Sequence, residues 1–337
     1  MKKNGVSTWK IAATYIGTVV GAGFATGQEI LQFFVRFGKP GLLGILLAAV
    51  LFVFFGSVIM GLGNRLNARS HLEIIRYSSG RFWGNIADAL ITFFLFGSLT
   101  AMMAGTGALL RQQLGLPDAA GSLLMGALTA VTVLSGVEGV INSISFVVPF
   151  LLVSVIGVSG YSILNGPLDF SAAVHMDQNR LIANWPASAV LYVSYNIMLS
   201  VAVLGALGAN ALDKRALRTG AALGGVGLGF ASAMIFLALC GKLSRISALE
   251  VPMIYIAGRI SPLAQILYGV VLIAEIYTTA VGSLFGFASR IASDRAGRAG
   301  RYAVVLGTTL LALLASQLGF SNLVKYLFPV EGVCGIL

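Results

Sequence analysis

The stretch Tyr15–Glu29 (YIGTVVGAGFATGQE) puts four glycines, two threonines, an amide and a carboxylate inside a long apolar run. Glycine weakens a helix, and a helix that breaks exposes main-chain carbonyls on one side and amides on the other. Freed carbonyls suit a hard cation, and the amides of a following half-helix suit an anion. Two other stretches carry matching chemistry. Glu275, Thr278 and Thr279 are spaced i, i+3, i+4 and share one helix face. Val190–Ser200 (VLYVSYNIMLS) carries Ser194, Asn196 and Ser200 together with Tyr192 and Tyr195.

The elements that must hold these groups are membrane spans. Of the 337 residues 57% are hydrophobic and 10% charged, with a mean hydropathy of +0.91. Soluble domains carry about 25% charged residues, so the chain reads as an all-α integral membrane protein. Apolar runs at 10–36, 40–63, 83–110, 120–138, 141–164, 186–207, 216–240, 262–290, 302–319 and 321–337 predict about ten transmembrane helices. The apolar run after Lys2 and Lys3 extends past Ala25 to Phe37, too far for a secretory signal, and reads as a retained first span. No polar linker divides the chain, so 1–337 is one transmembrane domain. A carboxylate at membrane depth costs at least about 2.5 kcal/mol on the insertion scale, and irregular backbone persists there only where protein buries it or it lines a cavity. The first span is therefore expected to unwind near Gly21–Gly23, with the other spans arranged around the break.

A net charge of +10 raises nucleic acid as a partner, but the basic residues follow membrane topology instead. With a cytoplasmic N-terminus, inside segments carry 14 Lys and Arg and outside segments 7, which predicts both termini in the cytoplasm of a cell-membrane protein. Two outside connections are long: 165–185, with Asp169, His175, Asp177 and Trp185, and 241–261, whose middle reads as a helical cap over the outer face. Ten spans divide into two halves of five, approximately 8–164 and 186–337, inserted with opposite orientation. Spans 1 and 6 are then counterparts, and interruptions at corresponding positions of two halves point to a transporter binding site.

Counting from the span limits, Gly21–Gly23, Asn196 and the Glu275/Thr278/Thr279 group lie at one depth, near the bilayer midplane. A glycine-broken first helix, a polar-centred sixth and paired hydroxyls on the eighth resemble the LeuT-type fold of the amino acid–polyamine–organocation superfamily. The runs TVVGAGFATGQE and EIYTTAVG are similar to those of the YkvI-like putative amino acid permeases, over nearly the whole chain. The resemblance implies a 5+5 inverted repeat with broken helices 1 and 6, and secondary active transport of an amino acid, amine or similar small organic solute. It implies Na+ between the carbonyls of Gly17, Val20 and Glu275 and the hydroxyls of Thr278 and Thr279. A substrate carboxylate would meet the amides of Ala22, Gly23 and Phe24 beside Gly21. Carbonyls around Tyr195 and Asn196 would take an ammonium group, with Phe94, Tyr192 and Tyr195 as walls or gates. The competing reading is that the threonines bond within their own helix and the aromatics are packing.

Three intramembrane carboxylates are functional candidates: Glu29, Glu275 and Glu331. Glu275 stands where sodium sites of this kind carry a small neutral residue, which keeps H+ open as the coupling ion. Glu29 lies about 12 Å from Gly21 along a straight helix, at 1.5 Å per residue, and reads as a gate or helix tie. Glu331 follows Pro329 and is open to a gate role or to pairing with Lys325. Asp88 reads as structural, and the pairs Gly220/Gly224 and Gly225/Gly229 as packing faces. No phosphate-binding loop points to an ATP-driven pump, and His71 and His175 fall in loops on opposite sides. No cofactor and no enzymatic constellation is expected. A channel, or a receptor of the same fold, remains the alternative to a transporter, and the oligomeric state is not encoded in these motifs.

Overall fold

The computed structural model describes residues 5–68, 70–166, 168–170, 184–246, 249, 251–292 and 297–320, and residues 323, 327, 330, 331 and 333–335 of the C-terminal segment. The fold is all-helical. The first span divides into α1 (Thr8–Val19), α2 (Ala22–Thr26) and α3 (Gln28–Phe33). There follow α4 (Lys39–Leu66), α5 (His71–Leu114), α6 (Asp118–Leu134), α7 (Val137–Leu164), α8 (Trp185–Ala209) and α9 (Lys214–Cys240). Short α10 (Leu243–Ile246) and α11 (Pro252–Ile260) lead into α12 (Pro262–Ile291) and α13 (Gly297–Ala315). Among the described residues seven helices are long and apolar enough to cross a membrane, and α6 is a shorter apolar helix of 17 residues. The expected tenth span, including Pro329 and Lys325, falls largely outside the described residues.

The centre of the bundle is α1, which packs on α7, α8, α9 and α12. Its neighbours come close through small residues. On α9, Gly220 and Gly224 face Ile11 and Tyr15 of α1, while Gly225 and Gly229 face Val53 and Ala49 of α4. These two glycine pairs are packing faces, as their spacing suggested. On the other side of α4, a Cβ at Gly63 would stand 2.8 Å from Gly205 Cα, and one at Gly208 would strike the Met60 carbonyl. Asn64 Nδ2 closes the same seam, donating to Gly208 O at 2.9 Å.

The segment before α1 pairs with the turn after α8, through Val6 N to Asn210 O at 2.8 Å and Leu212 N to Val6 O at 3.1 Å. This puts Val6 and the start of α9, with Lys214 and Arg215, at one end of the protein. Asp88 joins elements at that end: Arg290 Nε on α12 donates to both its oxygens, at 2.6 and 2.8 Å, and His71 Nε2 lies 3.1 Å away. Asp88 is thus a structural tie. At the other end α11 packs over α2 and α12 as the expected helical cap, and Gln28 Nε2 donates to Leu249 O beneath it.

One expectation is corrected. Span 6, expected to be broken, is the continuous helix α8. The reason is local: no glycine or proline occurs between Ala187 and Leu204. Two of its central polar side chains bond their own helix, Asn196 Nδ2 to Tyr192 O at 2.8 Å and Ser200 Oγ to Asn196 O at 2.5 Å. Tyr195 and Asn196 therefore present side chains, not freed carbonyls.

Candidate functional site

The first span breaks at Val20–Gly21. The last amide bond of α1 runs from Val20 N to Ile16 O at 2.8 Å, after which Val20 (ψ 122°) and Gly21 (φ −126°, ψ −170°) are extended. The carbonyls from Gly17 onward thus lie beyond the hydrogen-bond ladder of α1. Thr279 Oγ1 on α12 donates to Val20 O at 3.0 Å. A side chain at Gly21 would meet that same hydroxyl at 3.1 Å, so glycine there permits the close approach. One further contact ties α12 to the broken span: Tyr268 Oη donates to Ala25 O at 2.7 Å.

Glu275 lies on α12 between these two tethers, one turn from Thr279 and two from Tyr268. It is fully buried, and neither carboxylate oxygen has a hydrogen-bond partner. Thr278 is also buried, but its Oγ1 bonds Glu275 O of its own helix at 2.9 Å. The structure thus brings Val20 and Thr279 together across the gap and leaves Thr278 bonded along α12. A Cβ on Gly17 would meet Ile144 and Val148, so that side of the residue packs on α7.

Beside the break lies a small cavity of ≈ 30 Å³, lined by Thr18, Val19, Gly21, Gly23, Glu29, Ser98, Met102, Tyr195, Asn196, Leu199, Thr279, Gly282 and Ser283. A water needs about 10–15 Å³ on this measure, so the site is in a closed state with room for a few small atoms. Of the residues expected around substrate, Gly21, Gly23, Tyr195 and Asn196 form its wall. Phe24, Phe94 and Tyr192 do not: all three are buried in packing. Tyr192 stacks with Phe33, Phe34, Phe52 and Tyr195, centroids 5.0–5.8 Å apart. Ala22 contributes the first turn of α2, and its side chain is outside the described residues.

The larger correction concerns Glu29. A straight helix would carry it well away from Gly21, but a second joint intervenes. Gly27 adopts φ 85°, a left-handed conformation that glycine reaches without strain, and the chain turns there between α2 and α3. Glu29 folds back over Gly23, where an added Cβ would fall 2.6 Å from Glu29 Cγ, and its carboxylate lines the cavity. Glu29 thus lines the site instead of standing about 12 Å away from the break. Glu331 is fully buried and within electrostatic reach of Glu29, yet is not on the cavity wall. Its segment packs on α8, with Gly335 against Ser194.

Sequence reasoning missed Thr18, Ser98 and Ser283 as lining residues. Ser283 Oγ donates to Ser98 Oγ at 3.0 Å, joining α12 to α5. Ser283 was findable, because it follows Thr279 by four residues on the same face. Ser98 stands four residues from Phe94 and from Met102 on α5, but tertiary packing decides that Ser98 and Met102, and not Phe94, reach the cavity.

No family model matches the chain. Among solved structures, it is similar in fold to a substrate-bound, outward-open Na+-coupled sialic acid symporter, with a TM-score of 0.73 and 14% identity over 98% of this chain and 76% of that one. MhsT in complex with L-phenylalanine gives 0.69 and 16% over 99% and 89%, and inward-facing Mhp1 gives 0.61 and 16% over 99% and 74%. These likenesses show the LeuT-type fold. In sequence, the chain is 27% identical to the protein YyaD of Bacillus subtilis (strain 168), over 95% of this chain and 91% of that protein. It is 31% identical to the membrane protein YkvI of the same organism over 333 residues, 98% of this chain and 94% of that protein. The chain belongs to the YkvI family of multi-pass membrane proteins.

Proposed function

We propose that the chain is a secondary active transporter working by alternating access. Na+ bound between the broken first span and α12 would drive uptake of a small organic solute, an amino acid or an amine. The observation that carries this reading is the bond from Thr279 Oγ1 to the freed carbonyl of Val20, two oxygens held 3.0 Å apart where the backbone leaves its ladder. A cation placed there would draw further oxygens from Gly17 O and from the Glu275 and Thr278 region, all from two elements whose separation changes as a transporter opens. Support for the substrate class comes from the fold neighbours, whose bound solutes are small organic molecules. The basic loops and both termini are assigned to the cytoplasm by their charge.

Coupling requires only that Na+ bind one state better than the other. A 100-fold preference shifts the equilibrium by about 2.7 kcal/mol, which turns a ratio of about 1:10 into about 10:1. A second reading rests on Glu275, whose buried carboxyl has no partner: H+ would then replace Na+. The test is a thermal-shift screen of amino acids and amines, each in Na+ and in K+ buffer and at two pH values. A ligand shift that requires Na+ supports the first reading, and one that tracks pH alone in K+ supports the second.

A further inference from the structure

The cavity wall leans toward hydrogen-bond acceptors. Four of its side-chain donors are already committed, Asn196 Nδ2 to Tyr192 O, Thr18 Oγ1 to Thr14 O at 2.7 Å, Thr279 Oγ1 to Val20 O and Ser283 Oγ to Ser98 Oγ, while Tyr195 Oη has no hydrogen-bond partner. What these groups still offer is acceptors, namely the Asn196 amide oxygen and the lone pairs of the hydroxyls. Glu29 adds a carboxylate whose Oε2 is buried without a hydrogen-bond partner. Among the described residues lining the cavity there is no lysine, arginine or histidine.

An ionised Glu29 disfavours an anion at this wall. A carboxylate of the ligand, brought to the Gly23 end of α2, would face the Glu29 carboxylate already folded over Gly23. A protonated amine has the opposite fit: it is positive, has up to three hydrogens to give and needs no donor from the protein. The ring of Tyr195 on the same wall is a further cation-attracting surface. Val19, Met102 and Leu199 make the remaining wall apolar, which suits a short carbon chain better than a bare metal ion. No group of three acidic, histidine or cysteine side chains among the described residues could hold a metal.

We propose that the cavity recognises a small organic amine, with Glu29 as the group that receives the ammonium and Asn196 as its neutral partner, so that the substrate is cationic rather than a zwitterionic amino acid. This rests on the transporter reading above and narrows its substrate class. The left-handed joint at Gly27 makes it possible, because it returns Glu29 to the break. At ≈ 30 Å³ the closed cavity holds little more than the ammonium group, and the carbon chain would require the site to open.

The experiment compares matched trios on the purified protein: ethylamine, alanine and ethanol; 3-methylbutylamine, leucine and 3-methylbutanol. Binding is read by thermal shift in Na+ and in K+, and entry by flux into proteoliposomes. The expected result is a shift with the amine of at least one trio and none with its amino acid or alcohol. Glu29→Gln should weaken that amine at least tenfold, and Glu29→Asp less, with both variants monodisperse. Amino acids binding better than their amines, with Glu29→Gln unchanged in affinity, would overturn the substrate class and leave the transporter intact. A response to Mn2+ but to no amine would overturn it too. A folded protein that binds and moves no member of either trio, but carries another solute, excludes small amines while sparing transport.

Discussion

Thr279 Oγ1 on α12 reaches Val20 O across the break in the first span, at 3.0 Å, whereas its neighbour Thr278 bonds within α12 to Glu275 O at 2.9 Å. The two hydroxyls are adjacent in sequence but not equivalent in place. Thr279→Ala should therefore weaken Na+ binding at least tenfold, about 1.4 kcal/mol, and Thr278→Ala should weaken it less. Titration of the Na+-dependent rise in melting temperature measures both. Equal effects would show that both hydroxyls face the cation.

Glu275 is buried with no partner for either oxygen. A nearby cation would compensate its charge, and an uncharged isostere removes the need. Glu275→Gln should fold as well as the parent in Na+-free buffer, and its stabilisation by Na+ should be smaller. If the stabilisation by Na+ is undiminished, the carboxyl plays no part in cation binding.

Gly27 joins α2 to α3 at φ 85°, and a Cβ there would stand 2.9 Å from Met253 Cγ on the cap helix. The left-handed conformation alone costs a side chain about 1–2 kcal/mol. Gly27→Ala is expected to lower the melting temperature and to reduce transport, by displacing Glu29. Retention of full activity would mean that Glu29 need not fold back over Gly23.

The α4–α8 seam has backbone against backbone, so it cannot yield by moving a side chain. A Cβ at Gly208 collides with Met60 O and disturbs the bond from Asn64. Overpacking of this kind costs about 1–3 kcal/mol where atoms can shift. Gly208→Val should reach the upper end of that range or fail to accumulate as folded protein. Gly157→Ala, with open space around it, is the control and should change little. Gel-filtration yield compares them.

Asp88 accepts two bonds from Arg290, and its carboxyl is 8% exposed. Removing one partner of a largely buried pair costs about 3 kcal/mol. Asp88→Ala should lower stability by that order in a denaturation series. Asp88→Asn, which keeps the shape, should lose less.

Much of this was legible because it rests on local rules. Gly17, Gly21, Gly23 and Gly27 announce a broken span, and the break falls at Val20–Gly21. The i, i+4 relation of Glu275 and Thr279 put them on one face, and the glycine pairs of α9 announced two packing faces. What was not legible depended on single dihedral angles and on neighbours distant in sequence. Nothing in the order of residues says that Gly27 takes a positive φ and returns Glu29 to the cavity. Polar residues in the middle of span 6 suggested a break, but side chains that bond to their own helix leave it whole. Ser98 enters the site only because α5 packs on α12.

The central claim is that a cation between Val20 and α12 drives solute movement, and gradient-driven uptake tests it most directly. Proteoliposomes loaded with K+ and diluted into Na+ should accumulate solute above its equilibrium level, collapse when Na+ is present on both sides, and show little accumulation with Thr279→Ala. Accumulation that is equal with and without the Na+ gradient, and unchanged in Thr279→Ala, would contradict it.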